Sequence, residues 1–135
     1  MELLSYPKNE YLLEASLESL HGEAMAWLNE LAYWQDEMTF YYKLLRRKQK
    51  PTDFPTEDVA DMEKELVRLT SAKLDRLRAT VTEHERSLAV LTKVHSNSGE
   101  DAYRDTHRRL LGNMHDLHLD LRAFKKKVFS FVQKD

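Results

Sequence analysis

The strongest constraint on the fold is a repeat of apolar residues at alternating steps of three and four. It runs from Leu17 to Leu45 in the first third of the chain and from Tyr103 to Phe131 in the last third. Each stripe has nine positions, and of these eighteen residues only His107, in the second stripe, is polar. Such spacing places the apolar residues on one side of an α-helix and is typical of helices that pack side by side. The chain is therefore predicted to be all-α.

The middle of the chain carries a less regular stripe of the same kind. Steps of three and four hold from Val59 to Leu66, drift around Leu74, and resume between Leu77 and His95. The average period is therefore slightly longer than in the other two stripes. A core helix that packs against two neighbours tolerates such a drift, so we interpret this segment as the third helix of the core.

Helix-breaking residues separate the three stripes. The stretch KPTDFP at 50–55 contains two prolines, and SNSGE at 96–100 combines serine, asparagine and glycine. We expect a single domain over residues 1–135, with helices near 10–49, 55–95 and 99–133, and with Asn9 and Ser98 as N-caps. Short connections make consecutive helices antiparallel, which predicts an up-down-up three-helix bundle that dimerisation would complete.

Charge supports this topology. The first helix ends in RRKQK, the third carries KKK near its end, and the second begins with the acid-rich TEDVADMEKE. In an up-down-up bundle these three ends meet, and their opposite charges select the register. Along the first helix, acidic residues recur every seven positions and are expected to face basic residues of the second helix: Glu23, Glu30 and Glu37 opposite Arg78, Lys73 and Arg68.

The composition argues against several functional classes. The net charge of −2 gives no general attraction to nucleic acid or to a membrane surface. Cysteine is absent, which excludes disulfides, thiol catalysis and thiolate zinc sites. The N-terminal stretch lacks the basic start and apolar run of a signal peptide. The sequence contains no glycine-rich phosphate loop and no apolar run approaching the roughly 18 residues of a membrane span. We expect a cytoplasmic protein without a nucleotide cofactor, and no residue is a candidate for catalysis.

The histidines raise the question of a metal site. His84 and His107 fall on the apolar stripes, and Glu18 with His21 forms an E-x-x-H pair, the spacing that di-iron bundles use. Antiparallel packing would bring His21 close to His84. A metal ion held by Glu18, His21, His84 and His107 is therefore the alternative function, although a di-iron centre needs a second E-x-x-H pair that the sequence does not supply.

A simpler interpretation is that the stripe histidines are hydrogen-bonded core residues. Their expected partners are nearby carboxylates such as Glu10, Glu14 or Asp101. A buried neutral imidazole lowers stability as pH falls, whereas pairing of the charged imidazole with a carboxylate reverses the sign. A small-ligand pocket between the helices near these histidines is a third hypothesis.

The first helix carries more apolar surface than a three-helix bundle requires. Tyr33 and Phe40 lie seven residues apart and away from the stripe, Met25 lies beside them, and Tyr42 broadens the stripe. These side chains either lie half-exposed at the boundary of the core or are covered by a partner. We favour a partner. The sequence therefore predicts a non-enzymatic interaction or scaffold module that binds another protein, most simply a second copy, through helix one.

Overall fold

The computed structural model describes residues 16–48, 57–94 and 97–133. Within these ranges the backbone is helical almost throughout and contains no strand. In chain order the elements are α1 (Leu17–Lys48), α2 (Glu57–Val67), a π-helix (Arg68–Leu74), α3 (Asp75–Val94) and α4 (Asn97–Val132). The elements α2, the π-helix and α3 follow one another without a break and form the middle helix. The all-α bundle is thereby confirmed.

The predicted N-cap Asn9, the predicted break at 50–55 and His95 lie outside what the structure describes. The other predicted cap, Ser98, lies within α4, because this helix begins at Asn97, slightly before the expected start near 99. For the described part of α1, Ser16 acts as the cap, because its Oγ accepts a hydrogen bond from the N–H of Ser19 at 3.0 Å.

The predicted stripes form the core. Every described stripe position is buried except Leu17 and Phe131, which are partly exposed. The largest fully buried side chains come from all three helices: Phe124, Leu20, Leu31, Met38, Leu45, Leu69, Leu74 and Leu110. Burial of each such side chain contributes about 1.5–3 kcal/mol, so the repeat itself supplies the main stabilisation.

The drift in the middle stripe is a π-helix. Leu69 and Leu74 are both buried although they are five positions apart. The hydrogen bond from the Asp75 N–H to the Thr70 carbonyl has the five-residue spacing of a π-helix. The wider turn accommodates one extra residue, and the steps of three and four then continue into α3.

The described chain divides into two compact units. Unit 1 combines the described part of Met1–Glu30 with Leu77–Met114, and unit 2 combines Leu31–Arg76 with the described part of His115–Asp135. Each unit therefore contains a stretch of α1, of the middle helix and of α4.

Helix directions can be read within each unit. In unit 2, Glu37 and then Tyr41 of α1 contact Lys125 and then Phe129 of α4, so these two helices run parallel. In unit 1, Leu20 clusters with Leu88, Leu91 and Tyr103, and His84 of α3 contacts His107 of α4 further along. Thus α3 runs antiparallel to α4. These are the up-down-up relations that the sequence predicts.

Ion pairs in unit 2 confirm one charge prediction and correct another. The basic helix ends meet the acidic start of the middle helix, with Arg46 at 3.3 Å from Glu63 and Lys127 at 3.1 Å from Glu65. The acidic row on α1 has other partners than expected. Glu37 binds Lys125 of α4 at 3.1 Å, and Lys73 binds Asp120 at 2.7 Å. The row lies on the flank of α1 that faces α4, and heptad spacing alone does not distinguish this flank from the other.

Candidate functional site

A chain of three polar side chains crosses the interior of unit 1. Nε2 of His107 lies 2.7 Å from Oε1 of Glu23 on α1, and Nδ1 of His107 lies 2.9 Å from Nε2 of His84 on α3. His84 is 3 % exposed and His107 is 0 % exposed, whereas the Glu23 side chain is 28 % exposed. The chain therefore runs from a carboxylate in contact with solvent to an imidazole sealed in the core.

Aromatic rings cover both imidazoles. The indole of Trp27 stacks on His107 with ring centroids 4.4 Å apart. The phenol ring of Tyr103 stacks on His84 at 4.1 Å, and the two planes are tilted by only 10°. These apolar faces exclude water from the rings, which strengthens hydrogen bonds within the chain and raises the cost of any unpaired charge there.

The hydrogen-bond partners assign the tautomers. The Glu23 carboxylate can only accept, so His107 donates through Nε2–H and its Nδ1 is an acceptor. His84 must then donate through Nε2–H, which leaves its own Nδ1 as a bare acceptor. That atom is buried and has no hydrogen-bond partner within the described part of the chain.

The surroundings of His84 disfavour its charged form. Burial, and then the neighbouring His107, lower the pKa of His84 to about 4. On the other side of the stack, burial and then the charge of Glu85 raise the pKa of the Tyr103 phenol well above its ordinary value. The His84 imidazole and the Tyr103 phenol are therefore both neutral at physiological pH.

The structure brings two of the four predicted metal ligands together and separates the others. His84 and His107 bind each other, while Nδ1 of His21 pairs with the Glu85 carboxylate. Glu18 is exposed. Among the described residues, no group of three or more His, Cys, Asp or Glu side chains is placed to hold a metal ion. Metal binding stays a prediction that these contacts do not support.

The carboxylate partner of His107 was not the one expected. Asp101 is exposed, and Glu10 and Glu14 lie outside the described residues. Glu23 has this role because it stands one turn before Trp27 on the flank of α1 that faces α4. The sequence signal was present in the spacing of Glu23 from Trp27, but the same residue fitted a partner on the middle helix equally well.

The small-ligand hypothesis corresponds to a groove of about 480 Å³ between α3 and α4 in unit 1. Its lining includes Val90, Leu91, Ala102 and Tyr103 but neither His84 nor His107. The groove is next to the two imidazoles at Tyr103, whose ring stacks on His84, and at Ser87, whose Oγ donates a hydrogen bond to the His84 carbonyl at 2.6 Å.

A second candidate site is the apolar surface predicted on helix one. In unit 2, Tyr33 is 60 % exposed, Phe40 54 % and Tyr42 37 %, and in unit 1 Met25 is 44 % exposed. Tyr42 is the least available of the four, because its hydroxyl accepts a hydrogen bond from Nε of Arg46 at 3.2 Å.

The structure adds residues of α4 that sequence reasoning missed. Phe129 is 45 % exposed, and its ring meets the edge of Tyr41 with centroids 5.6 Å apart. Tyr41 in turn contacts Phe40 at 5.6 Å. Two ring contacts thus connect the exposed Phe40 of α1 with the exposed Phe129 of α4 through Tyr41, which is itself buried. Phe129 directly follows the stripe residue Val128, so the spacing alone does not indicate that its side chain is exposed.

Comparison of this chain with protein family models, with curated proteins and with solved structures finds no match. No described helix combines the length and the apolar character needed to cross a bilayer. The class of protein is therefore defined by the fold, an all-α helical bundle, and function has to be argued from the two sites.

Proposed function

We propose that this protein is a non-enzymatic interaction module that self-associates through the outer face of α1. The observation that supports it is the exposure of Tyr33 and Phe40, which lie two helical turns apart on the same side of the helix. Aromatic rings are enriched in the cores of protein interfaces. Complete burial of a fully exposed apolar side chain contributes about 1.5–3 kcal/mol, so covering these partly exposed rings favours association.

The polar residues around these rings favour a second copy as the partner. On α1 the residues Tyr33, Asp36, Phe40, Lys43 and Arg47 follow steps of three and four, and all five are exposed. We call them the outer stripe. Its acidic member lies before Phe40 and its two basic members lie after it, so the stripe changes sign at the ring.

A surface with this sign change complements itself. If two copies of α1 pair antiparallel about a two-fold axis at Phe40, the two Phe40 rings meet at the axis. Asp36 of each copy then lies within reach of Lys43 of the other, and the pairing occurs twice. Complementary charge of this kind selects orientation and partner more than it adds affinity.

Phe129 of α4 is a further exposed ring of the same unit that the proposal adds to the interface. A cytoplasmic location is part of the same proposal, and a chain without cysteine is compatible with it.

Replacement of the two rings by charge tests the proposal. The variant Tyr33→Glu with Phe40→Glu should remain folded and become monomeric, because both side chains are exposed and contribute little to the core of one copy. Sedimentation equilibrium gives the mass, and circular dichroism reports the fold. The matched control is Val90→Glu on α3, which is 62 % exposed but lies on another helix and should leave the dimer intact.

A charge exchange tests the two-fold arrangement. Asp36→Lys and Lys43→Asp should each weaken the dimer, since each variant places like charges opposite one another. The double variant restores the alternation with inverted sign and should recover the dimer. An unmodified protein that is monomeric at high micromolar concentration would rule out self-association, and a double variant as weak as the singles would rule out the antiparallel pairing.

A further inference from the structure

We propose that the buried chain of Glu23, His107 and His84 is a proton-binding site that holds one proton in the closed form of unit 1 and admits a second only when unit 1 opens. The proposal is based on two consecutive hydrogen bonds, from Glu23 to His107 and from His107 to His84, and on a ring nitrogen of His84 that has no partner among the described residues. One end is the Glu23 carboxylate at 2.7 Å from His107, and the other is the unpartnered Nδ1 of His84.

The first proton has a defined route. It reaches Nδ1 of His84 when unit 1 opens transiently, because this atom is buried in the closed form. Within the described part of the chain, Nδ1 is the only ring nitrogen of the two imidazoles without a hydrogen bond, and its protonation makes the His84 ring an imidazolium. The proton on Nε2 of His84 then moves across the 2.9 Å bond to Nδ1 of His107. His84 is again neutral, with its hydrogen now on Nδ1, and the charge resides on His107. There the imidazolium lies 2.7 Å from the Glu23 carboxylate, an ion pair that stabilises it.

A second proton finds no acceptor in the closed form. Both nitrogens of His107 now carry hydrogen, and Nε2 of His84 accepts the bond from His107. Protonation of Nε2 of His84 would break that hydrogen bond and place two imidazolium cations side by side in the core. Burial of an unpaired charge there is unfavourable, and the two like charges repel each other. The low pKa of His84, about 4, agrees with this exclusion.

The charged residues around Glu23, His107 and His84 do not stabilise a second positive charge on the two imidazoles. On α1 and α3, His21 and Glu85 pair with each other, and on α4 the guanidinium of Arg104 pairs with Glu100 at 2.9 Å. Tyr103 covers His84 as a neutral phenol. The carboxylate that the structure places in hydrogen-bond contact with the imidazole pair is Glu23, and the first proton already uses it.

Among the described residues of unit 2 no histidine is buried, because His115 and His118 are both exposed. The opened form of unit 1 binds at least one proton more than the closed form below the ordinary pKa of imidazole. Its population relative to the closed form should therefore rise about tenfold for each pH unit between roughly 6.5 and 4.

The two tryptophans report on the units separately. Trp27 lies in unit 1 against His107, and Trp34 lies in unit 2 against the exposed His118. The full chain labelled with fluorotryptophan gives two fluorine NMR signals, which the variants Trp27→Phe and Trp34→Phe assign. On acidification, the Trp27 signal should pass to the position it has in denatured protein, with a tenfold change in ratio per pH unit, while Trp34 keeps its native position.

A variant separates the histidine pair from other acid effects. His84→Gln keeps an N–H to donate to His107 but cannot take up a proton, so the Trp27 transition should disappear from this pH range. The control His118→Gln should leave the transition unchanged. If His84→Gln does not fold, the unmodified protein still decides. The proposal would be overturned if the ratio of the denatured to the native Trp27 signal did not depend on pH. It would also be overturned if the Trp34 signal reached its denatured position together with that of Trp27.

Discussion

Unit 1 and unit 2 use stretches of the same three helices but have different interiors. Both buried polar side chains of the described chain, His84 and His107, lie in unit 1. The buried side chains of unit 2 are apolar or aromatic, among them Leu31, Met38 and Phe124, with exposures of 0–1 %. Polar contacts in unit 2 include ion pairs between partly exposed side chains, such as that of Lys125 with Glu37.

The difference shows that one heptad pattern supports two kinds of core. Apolar side chains stabilise in proportion to the area that they bury and respond weakly to pH. Buried imidazoles contribute only while each hydrogen bond is made, and they respond to pH because one protonation state fits the interior better than the other. The stability of unit 1 should therefore depend on pH. Unit 2, in contrast, contains the exposed aromatic residues Tyr33 and Phe40.

Removal of one histidine should have the largest effect on unit 1. His107→Leu leaves the Nε2–H of His84 buried without an acceptor, while Glu23 can turn to solvent. We expect a loss of about 2–3 kcal/mol in the free energy of unfolding, measured by urea titration near neutral pH. Met38→Leu in unit 2 is the matched control and should cost less than about 1.5 kcal/mol, because it conserves volume and removes no hydrogen bond.

The double variant His84→Leu with His107→Leu sharpens this comparison. With both polar partners gone, no buried donor or acceptor remains from the pair, and stability should return close to that of the unmodified protein. Losses that simply add, so that the double variant is weaker than either single variant, would mean that the imidazoles act through their shape and not through their hydrogen bond.

Acidification should have the next largest effect. The pKa of His84 is about 4 in the folded protein and 6.5 in its ordinary state, so the unfolded chain takes up a proton first as pH falls. The contribution of His84 is fully present above pH 6.5 and is lost progressively towards pH 4. Urea titrations at about pH 7.5 and pH 5 should differ by about 2 kcal/mol, with the acidic sample less stable.

The double leucine variant is the control for this titration as well. It lacks both buried imidazoles, so its unfolding free energy should be nearly the same at the two pH values. If it loses as much stability on acidification as the unmodified protein, the sensitivity comes from the carboxylates of the surface ion pairs, and the contrast between the two units would not hold.

The sequence predicts the core well because burial repeats with the period of the helix. Positions such as Trp27, Leu31 and Phe124 are determined by their spacing alone, and the exposure of Tyr33 and Phe40 follows from their place off the stripe. The partners of polar residues are not determined in this way. A heptad fixes the angle of a side chain around its helix, whereas a hydrogen bond also depends on which neighbour lies on that flank.

The histidine chain illustrates that limit. The sequence places His84 and His107 in the core, which the structure confirms, and predicts carboxylate partners for them. The structure shows such a partner for His107 but not for His84, which bonds the other imidazole instead. It does not single out Glu23, because a residue on the flank of α1 can face either neighbouring helix. The direct bond of 2.9 Å between the imidazoles depends on the axial level of α3 against α4, which spacing within one helix does not define.

The middle helix is the other place where the pattern was incomplete. The sequence pattern predicts a slightly longer average period along this helix, but the change in the structure is local. Steps of three and four surround a single step of five, from Leu69 to Leu74, and the π-helix spans that step. A regular α-helix would turn the residues after it by about 100° for the extra residue. The wider turn prevents this and keeps the buried positions of α3 on the core side.

Deletion of one residue from the π-helix should have the smallest effect. Ala72 is exposed, and its removal shortens the step from Leu69 to Leu74 to four, which a regular α-helix accommodates. We expect a change within about 1 kcal/mol in urea titration, with helix content preserved. Deletion of Ala79, an equally exposed alanine of α3, is the matched control. It rotates Val81 and His84 out of register and should unfold unit 1. Equal damage from both deletions would show that the π-helix does more than accommodate one extra residue.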